Sequence, residues 1–99
     1  VDILSYISNH NSMRPKLVIG FAAETNNLED NAIEKLKNKN CDMIIANDVS
    51  KENIGFDSEF NEVSIIYKNK DKKVEYLSRR SKFEIAEKIA DKIIQYFIN

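Results

Sequence analysis

The sequence predicts an α/β fold, a three-layer sandwich built around a mixed sheet. Two short apolar runs, at residues 17–23 and 43–46, flank a segment in which apolar residues recur at helical spacing. A strand, a helix and a second strand in this order predict a parallel β–α–β core. Two later strand-like runs predict an edge hairpin, and a long amphipathic pattern predicts a C-terminal helix.

The composition limits the chain to one domain and excludes several kinds of partner. The 99 residues are 42% hydrophobic and 31% charged, which suits a folded core with a hydrated surface. The net charge of −1 gives no reason to expect a nucleic acid or an anionic membrane as partner. Its single cysteine, Cys41, excludes an internal disulfide and fits a reducing environment, so we expect a cytoplasmic protein.

The chain begins with a predicted helix over residues 2–10, whose apolar face holds Ile3, Leu4 and Ile7. No initiator methionine and no signal-peptide pattern stands before it, so we expect these residues to continue a longer chain. The only histidine, His10, has no Cys, Asp or Glu near it at ligand spacing. We interpret His10 as a solvated loop residue rather than a metal ligand or a base.

Residues 17–25 are the stretch to which we assign the chemistry. The stretch starts as a continuous apolar run, which predicts a strand buried on both faces. It ends in small and polar residues, and the helical pattern starts at Leu28. This order places a helix N-terminus at the carboxyl edge of the sheet, where open α/β folds bind nucleotides and phosphates. The alternative is an ordinary strand–loop–helix connection.

The helix that follows is predicted to run to Asn38, with Asn26 as its N-cap and Glu29 completing a capping box. Its apolar face consists of Leu28, Ala32, Ile33 and Leu36. Lys35 and Lys39 lie one turn apart and border this face. Either their stems snorkel along the apolar surface, or their ammonium groups serve a ligand.

Residues 42–48 predict the second strand, parallel to the first and reached by a right-handed crossover. Because parallel strands end at the same edge, Ala23 and Glu24 are expected near Asn47 and Asp48. These two polar residues either offer hydrogen-bonding groups to a ligand or form a turn.

The segment that follows predicts a long loop and a hairpin. Residues 49–60 show no helical or strand period, and Gly55 is expected to supply an unusual backbone angle there. The runs at 63–67 and 74–77 predict antiparallel strands. Their charged connection contains Lys70, Lys72 and Lys73, which either discourage edge-to-edge association or form a phosphate site.

The last helix is introduced by a capping box of Ser81 and Glu84. Its apolar positions recur at intervals of three and four residues. They are Ala86, Ile89, Ala90, Ile93 and Phe97. We assign this helix a structural role on the sheet.

Several catalytic motifs are missing from the sequence. A nucleophile elbow, a Gly-x-Gly-x-x-Gly turn, a Walker loop and a zinc-spaced His/Cys set do not occur, and the chain holds two glycines in all. We therefore assign no catalytic residue and no metal ligand to these residues. A strand edge with small residues, a helix start and two lysines suit the binding of a nucleotide.

Three sequence blocks resemble phosphopantothenoylcysteine synthetase, the ligase half of the bifunctional bacterial enzyme of coenzyme A biosynthesis. They are GFAAET at residues 20–25, ANDVS at 46–50, and Gly55-Phe56 with Asn61-Glu62-Val63. Their order and spacing match over nearly the whole chain. The resemblance implies a Rossmann-like sandwich of which residues 1–99 form the C-terminal segment. The upstream half of the domain and a flavin-dependent decarboxylase domain would precede it.

The resemblance also implies an activity. Such a ligase uses CTP and Mg²⁺ to activate the carboxylate of 4′-phosphopantothenate as an acyl-cytidylate, which the amine of cysteine then attacks. FMN belongs only to the decarboxylase domain. The full-length protein is expected to be a homo-oligomer, a dimer of the ligase domain. The segment alone is expected to be inactive, because half of the site is absent.

The family's CTP contacts fall on seven positions of this sequence. They are Val1, Asp2, Ile3 and Leu4 at the head of the first helix, Phe21 on the strand, and Lys35 and Lys39 beside the triphosphate. Val1 stands where a proline is common, and the loop after His10 is slightly longer than in some relatives. The rival prediction is a non-catalytic α/β interaction or regulatory module that has kept the fold.

Overall fold

A four-stranded mixed sheet lies between two helical layers in the computed structural model, which describes residues 2–49, 59–68 and 74–98. The elements in chain order are α1 (Ile3–Ser8), β1 (Ile19–Glu24), α2 (Leu28–Asn38), β2 (Met43–Asp48), β3 (Phe60–Tyr67), β4 (Val74–Ser81) and α3 (Lys82–Ile98). The predicted α/β class is confirmed. None of the helices in these ranges is long and apolar enough to cross a bilayer.

The strands follow one another across the sheet in chain order. β1 pairs with β2 in parallel, and β2–β3 and β3–β4 pair antiparallel, which confirms the β–α–β core and the hairpin. Glu24 stands opposite Asp48, and Ala23 opposite Asn47. The carboxyl ends of the two parallel strands therefore meet at one edge, as predicted.

Each face of the sheet has its own core. The face covered by α1 and α2 buries Val18, Ala22, Ala32, Leu36, Cys41, Ile44, Ala46 and Ile66. The opposite face, covered by α3, buries Met43, Ile45, Val63, Ile65, Tyr67, Leu77 and Ile85. The central strands β2 and β3 contribute to both cores, which is why their residues are apolar almost without interruption.

The prediction that the first strand is buried on both faces is wrong for the described chain. Burial alternates along β1, with Gly20, Ala22 and Glu24 buried and the side chains between them open. Phe21 is 75% exposed. The reason is position: β1 lies at the edge of the sheet, and α3 contacts β3 and β4 on the face that Phe21 occupies.

Both early helices start differently from their prediction. α1 is shorter than residues 2–10, and Asp2 precedes it as an N-cap whose carboxylate accepts from the Ser5 N–H at 3.1 Å. The N-cap of α2 is Asn27, not Asn26, with a left-handed φ of 46° and no side-chain capping bond. The predicted capping box does not form, because Glu29 is only two residues after Asn27, one short of the N3 position that the box requires.

α1 is held against the end of α2 by polar contacts at its C-terminus. The buried Ser8 hydroxyl donates to the Lys39 carbonyl, and the Ser8 carbonyl accepts from Arg14 Nε at 2.7 Å. Arg14 also pairs with Asp42 at 3.0 Å, and Asp42 accepts from the Val18 N–H at 2.8 Å. One guanidinium thereby fixes the first helix, the start of β1 and the start of β2 to one another.

The apolar faces predicted for α1 and α3 are confirmed only in part. In α1, Leu4 packs on the core whereas Ile3 and Ile7 are exposed. In α3, Ile85 is buried and Ile89 is packed against the same core. Ala86, Ala90 and Phe97 are exposed, because the sheet surface beneath α3 accommodates only one side of the helix.

The last helix begins as predicted. The Ser81 hydroxyl accepts from the Glu84 N–H at 3.1 Å and donates to the Glu84 carboxylate at 3.3 Å, which confirms the Ser81 half of the predicted capping box. Phe60 is 44% exposed and carries the Arg79 guanidinium 5.0 Å from its ring centre. Gly55, Phe56, Lys70, Lys72 and Lys73 lie outside the described residues.

Gly20 allows α1 to approach β1 closely, and we predict that Gly20→Ala destabilises the fold. An added Cβ would lie 2.8 Å from Ile44 Cδ1 and 3.0 Å from Leu4 Cδ2, and Ile44 is fully buried. The free energy of unfolding in urea, followed by circular dichroism, should fall by about 1–2 kcal/mol. Ala23→Ser, an exposed position of the same strand, is the control with little effect. A Gly20→Ala protein as stable as the parent would contradict the close packing.

Asp2 offers a second test of how α1 is held. The Lys39 ammonium, followed by the Ser5 N–H, lowers the pKa of Asp2 from 3.8 to about 2. A depressed carboxyl pKa means that the contact is fully formed above about pH 4 and is lost as the pH falls towards 2. In Lys39→Ala, carboxyl NMR should show the pKa of Asp2 rising towards 3.8. Lys35→Ala should leave it unchanged. A wild-type Asp2 that already titrates near 3.8 would exclude the ion pair.

Candidate functional site

Lys35 lies beside the carboxyl end of β1, where it pairs with Glu24. The distance from Lys35 Nζ to Glu24 Oε1 is 2.8 Å, and the side chains are 46% and 11% exposed respectively. Asn31, one turn earlier on α2, donates from Nδ2 to the other carboxylate oxygen, Oε2, at 3.4 Å and to the Asn26 carbonyl at 3.1 Å. A largely buried carboxylate therefore holds a half-exposed ammonium group at this edge of the sheet.

Lys39 is the C-cap of α2, and its ammonium group pairs with the carboxylate of Asp2. Both side chains remain more than a third exposed. Because Lys35 and Lys39 are one turn apart, their two ammonium groups occupy the same side of α2. Each lysine has a carboxylate partner, which neither of the two interpretations from the sequence, snorkelling or ligand binding, includes. The site thus places two cations on one surface, and each has N–H donors that its carboxylate does not use.

Phe21 lies on the opposite face of the sheet from the two lysines. It borders a cavity of about 390 Å³, which is also lined by Ala22, Ala23, Ile45, Asn47, Asn61, Val63, Ile85 and Ile89. The Oδ1 atom of Asn47 is buried there and has no hydrogen-bond partner among the described residues. An aromatic ring, an aliphatic floor and an open amide acceptor suit a flat, nitrogen-bearing ligand.

The polar pair at the end of β2 is divided between the two faces. Asn47 lines the cavity beside Phe21, whereas Asp48 borders a second cavity of about 410 Å³ near the start of α2. Glu29, Asp30 and Glu62 also border this second cavity. Four carboxylates give it an acidic character, which disfavours phosphate. The two residues therefore do not act together on one ligand from the positions described.

The predicted site residues form two groups. Asp2, Lys35 and Lys39 are brought to one surface by the contact between α1 and α2, and Phe21 stands across the edge of β1 from them. Leu4 is packed near Gly20 and Ile3 is 69% exposed, while Val1 lies outside the described residues. A ligand that touches both groups must pass around the edge of β1.

The remaining reactive side chains have structural surroundings. Cys41 is fully buried, and this burial raises the pKa of its thiol. His10 accepts at Nδ1 from the N–H groups of Ser12 and Met13, at 3.3 and 3.0 Å, within the loop that follows α1. Within residues 2–49, 59–68 and 74–98, no three His, Cys, Asp or Glu side chains are grouped so that they could hold a metal ion.

Glu24 and Asn31 are the residues at this site that the sequence reasoning missed. Parallel pairing predicts only that Glu24 lies near Asn47 and Asp48 across the sheet. Its partner Lys35 is on the next element, α2. No periodicity links a strand residue to a helix residue eleven positions later. The pairing could have been inferred from the β–α–β topology, because the crossover helix α2 runs back alongside β1.

Comparison with known proteins gives a consistent family. Residues 1–97 match the family described as the DNA/pantothenate metabolism flavoprotein C-terminal domain. The chain is 42% identical over 96 residues to the coenzyme A biosynthesis bifunctional protein CoaBC of Haemophilus influenzae, covering 97% of this chain and 23% of that protein. It is 38% identical over 92 residues to the Bacillus subtilis CoaBC, covering 91% of this chain and 22% of that protein.

Solved structures agree with the fold and show what share of a domain the chain represents. The crystal structure of the C-terminal domain of a CoaBC protein superposes with a TM-score of 0.74 at 36% identity, covering 98% of this chain and 42% of that one. A DNA/pantothenate metabolism flavoprotein from Streptococcus pneumoniae superposes with a TM-score of 0.72 at 27% identity, covering 98% and 41%.

The chain therefore spans less than a quarter of the length of these CoaBC relatives and less than half of the solved domains. The match of residues 1–97 and the agreement in fold support one assignment. The chain belongs to the family of the DNA/pantothenate metabolism flavoprotein C-terminal domain.

Proposed function

We propose that the protein is a phosphopantothenate–cysteine ligase of coenzyme A biosynthesis that uses CTP. The relatives with 38–42% identity are named as coenzyme A biosynthesis proteins, and the chain covers part of their C-terminal domain. The observation that carries the proposal is the pair of lysines on one side of α2, with the exposed ring of Phe21 across β1. In this role the chain supplies part of the nucleotide site.

The charges of the two lysines fit a triphosphate. Lys35 and Lys39 present their ammonium groups at the surface, where they are exposed enough for phosphate oxygens to reach them. Each charge-assisted hydrogen bond of this kind contributes roughly 1.5–3 kcal/mol, so two lysines account for a substantial part of micromolar binding. Phe21 is proposed to pack against the cytosine or the ribose.

Mg²⁺ is expected to travel with the nucleotide. Magnesium is bound through one or two carboxylates plus substrate phosphates, and the described residues contain no three-ligand cluster for it. In this proposal the triphosphate brings the magnesium ion to the site. FMN belongs to the decarboxylase domain proposed upstream, as the flavoprotein name of the family implies.

We further propose that the domain is completed by residues upstream of this chain, and that the chain alone is inactive. Exposed aromatic side chains on β1 and α3 support this. Phe21 is 75% exposed, and Phe83 and Phe97 of α3 are 74% and 57% exposed. Aromatic side chains exposed on this scale are typical of surfaces that meet another part of a protein. The ligase domain is proposed to form a dimer in the full-length protein.

The same exposed aromatics favour a second candidate, a non-catalytic module that binds a protein partner. The two candidates differ in nucleotide dependence. A non-catalytic module would neither bind CTP nor turn over 4′-phosphopantothenate and cysteine in the full-length protein, whereas the ligase does both.

Loss of either lysine charge should raise the CTP requirement. In the full-length protein we predict that Lys35→Ala or Lys39→Ala raises the apparent KM for CTP by about ten- to a hundredfold, because one phosphate contact is lost. Steady-state titration with CTP and, separately, ATP at saturating 4′-phosphopantothenate and cysteine measures the effect. Lys37→Ala, a solvent-facing lysine of the same helix, is the matched control. An unchanged CTP requirement in both site variants would return the lysines to a structural role.

Phe21→Ala should weaken CTP binding by about tenfold, since an aromatic ring that stacks on a base contributes roughly 1–3 kcal/mol. Calorimetric titration of the full-length protein with CTP measures the change. Phe21→Tyr keeps the ring and should keep the affinity. A melting curve of each variant separates lost binding from lost folding, and Phe21→Ala with normal CTP affinity would exclude the ring from the site.

A further inference from the structure

We infer that Glu24 is the positioning residue for Lys35, fixing the direction in which this ammonium group meets the phosphates. The inference rests on the proposed function, because it assigns a role to a residue beside the nucleotide site. Glu24 is not one of the seven predicted CTP-contact residues, and no catalytic role is assigned to it. It acts on the ligand only through the ammonium group 2.8 Å from its Oε1 atom.

The two partners differ in how firmly each is held. Glu24 stands in the sheet ladder opposite Asp48, and its carbonyl accepts from the Val49 N–H at 3.0 Å. Its side chain is only 11% exposed, and Asn31 donates to its second oxygen. Lys35 is 46% exposed at the end of a flexible four-carbon stem. The fixed carboxylate therefore decides where the mobile ammonium group lies.

The Lys35 ammonium group, which has three N–H donors, forms an ion pair with Glu24 Oε1, and that buried oxygen accepts no hydrogen bond among the described residues. The N–H groups of Lys35 therefore stay available for phosphate oxygens, and the ion pair with Glu24 decides where the ammonium group lies. Without this ion pair the stem samples many rotamers, and ordering it on binding costs free energy. Glu24 thus improves affinity by preparing Lys35, even though its own negative charge is repelled by a triphosphate.

This balance gives two opposed expectations for Glu24→Ala and Glu24→Gln. If positioning dominates, Glu24→Ala weakens CTP binding by about tenfold, and Glu24→Gln, whose one amide oxygen can face either Lys35 or Asn31, recovers only part of the loss. If Glu24 mainly competes with the phosphates for Lys35, both variants bind CTP more tightly. We expect the first pattern, and the second would overturn the inference.

A double-mutant cycle with Lys35→Ala tests whether Glu24 works through the lysine. Calorimetry of the full-length protein with CTP should show that Glu24→Ala has no further effect once Lys35 is removed. An equal loss in both backgrounds would overturn the inference. Glu34→Ala, which removes an exposed carboxylate next to Lys35 in the sequence, controls for a general change of charge. Melting curves confirm that each variant is folded.

A measurement without nucleotide separates this inference from the proposed function. The rate at which an acylating reagent modifies Lys35, followed by mass spectrometry, should rise severalfold in Glu24→Ala and by a smaller factor in Glu24→Gln. If that pattern appears but neither wild type nor variants bind CTP, the proposed function fails while the pairing stands. If Lys35 reacts equally fast in all three proteins, Glu24 does not position it, whatever the affinity for CTP.

Discussion

The parallel alignment of β1 with β2 is the constraint on which the rest of the structure depends. A parallel pair requires a crossover, and here α2 supplies it, running back along the sheet beside its own strand. The return path places Lys35 next to Glu24 at the end of β1. The same path brings the end of α2 to the start of α1, where Lys39 meets Asp2. The position of both cations therefore follows from the topology.

The electrostatics of this surface combine fixed anions with adjustable cations. Glu24 is part of the sheet, and Asp2 is fixed as the N-cap of α1, whereas both lysines have long stems. Such an arrangement keeps two positive charges at one place without requiring them to be buried, and an exposed pair of this kind adds little to stability. Its value lies in orientation, which suits the recognition of a charged ligand better than the stabilisation of a core.

The features of the fold that the sequence predicts correctly depend on residues close together in the chain. The cap that Ser81 provides to the Glu84 N–H depends on residues three apart, and the structure contains it. The choice between Asn26 and Asn27 as N-cap could not be made, because the two side chains are identical and a left-handed backbone decides. The apolar run around Phe21 could not reveal its exposed face, since such a run is the same whether or not a further element covers it.

The candidate site was predictable to a similar degree. The positions of Lys35 and Lys39 beside the apolar face of α2 follow from helical periodicity. Their partners do not, because the pairing of Lys35 with Glu24 and of Lys39 with Asp2 joins different elements. Phe21 lies on the opposite face because successive side chains of a strand alternate between the two faces of the sheet. Similarity between sequence blocks does not show which face a residue occupies. The proposal of CTP as the ligand comes from the family resemblance, whereas the arrangement of the side chains around the site is known only from the fold.

We propose that one nucleotide is held across the edge of β1, with its phosphates at the lysines of α2 and its nucleoside at Phe21. The most direct test is a crystal structure of the full-length protein with CTP. We expect phosphate oxygens within hydrogen-bonding distance of Lys35 and Lys39, and the base or ribose against the Phe21 ring. A CTP molecule bound away from all three residues would contradict it.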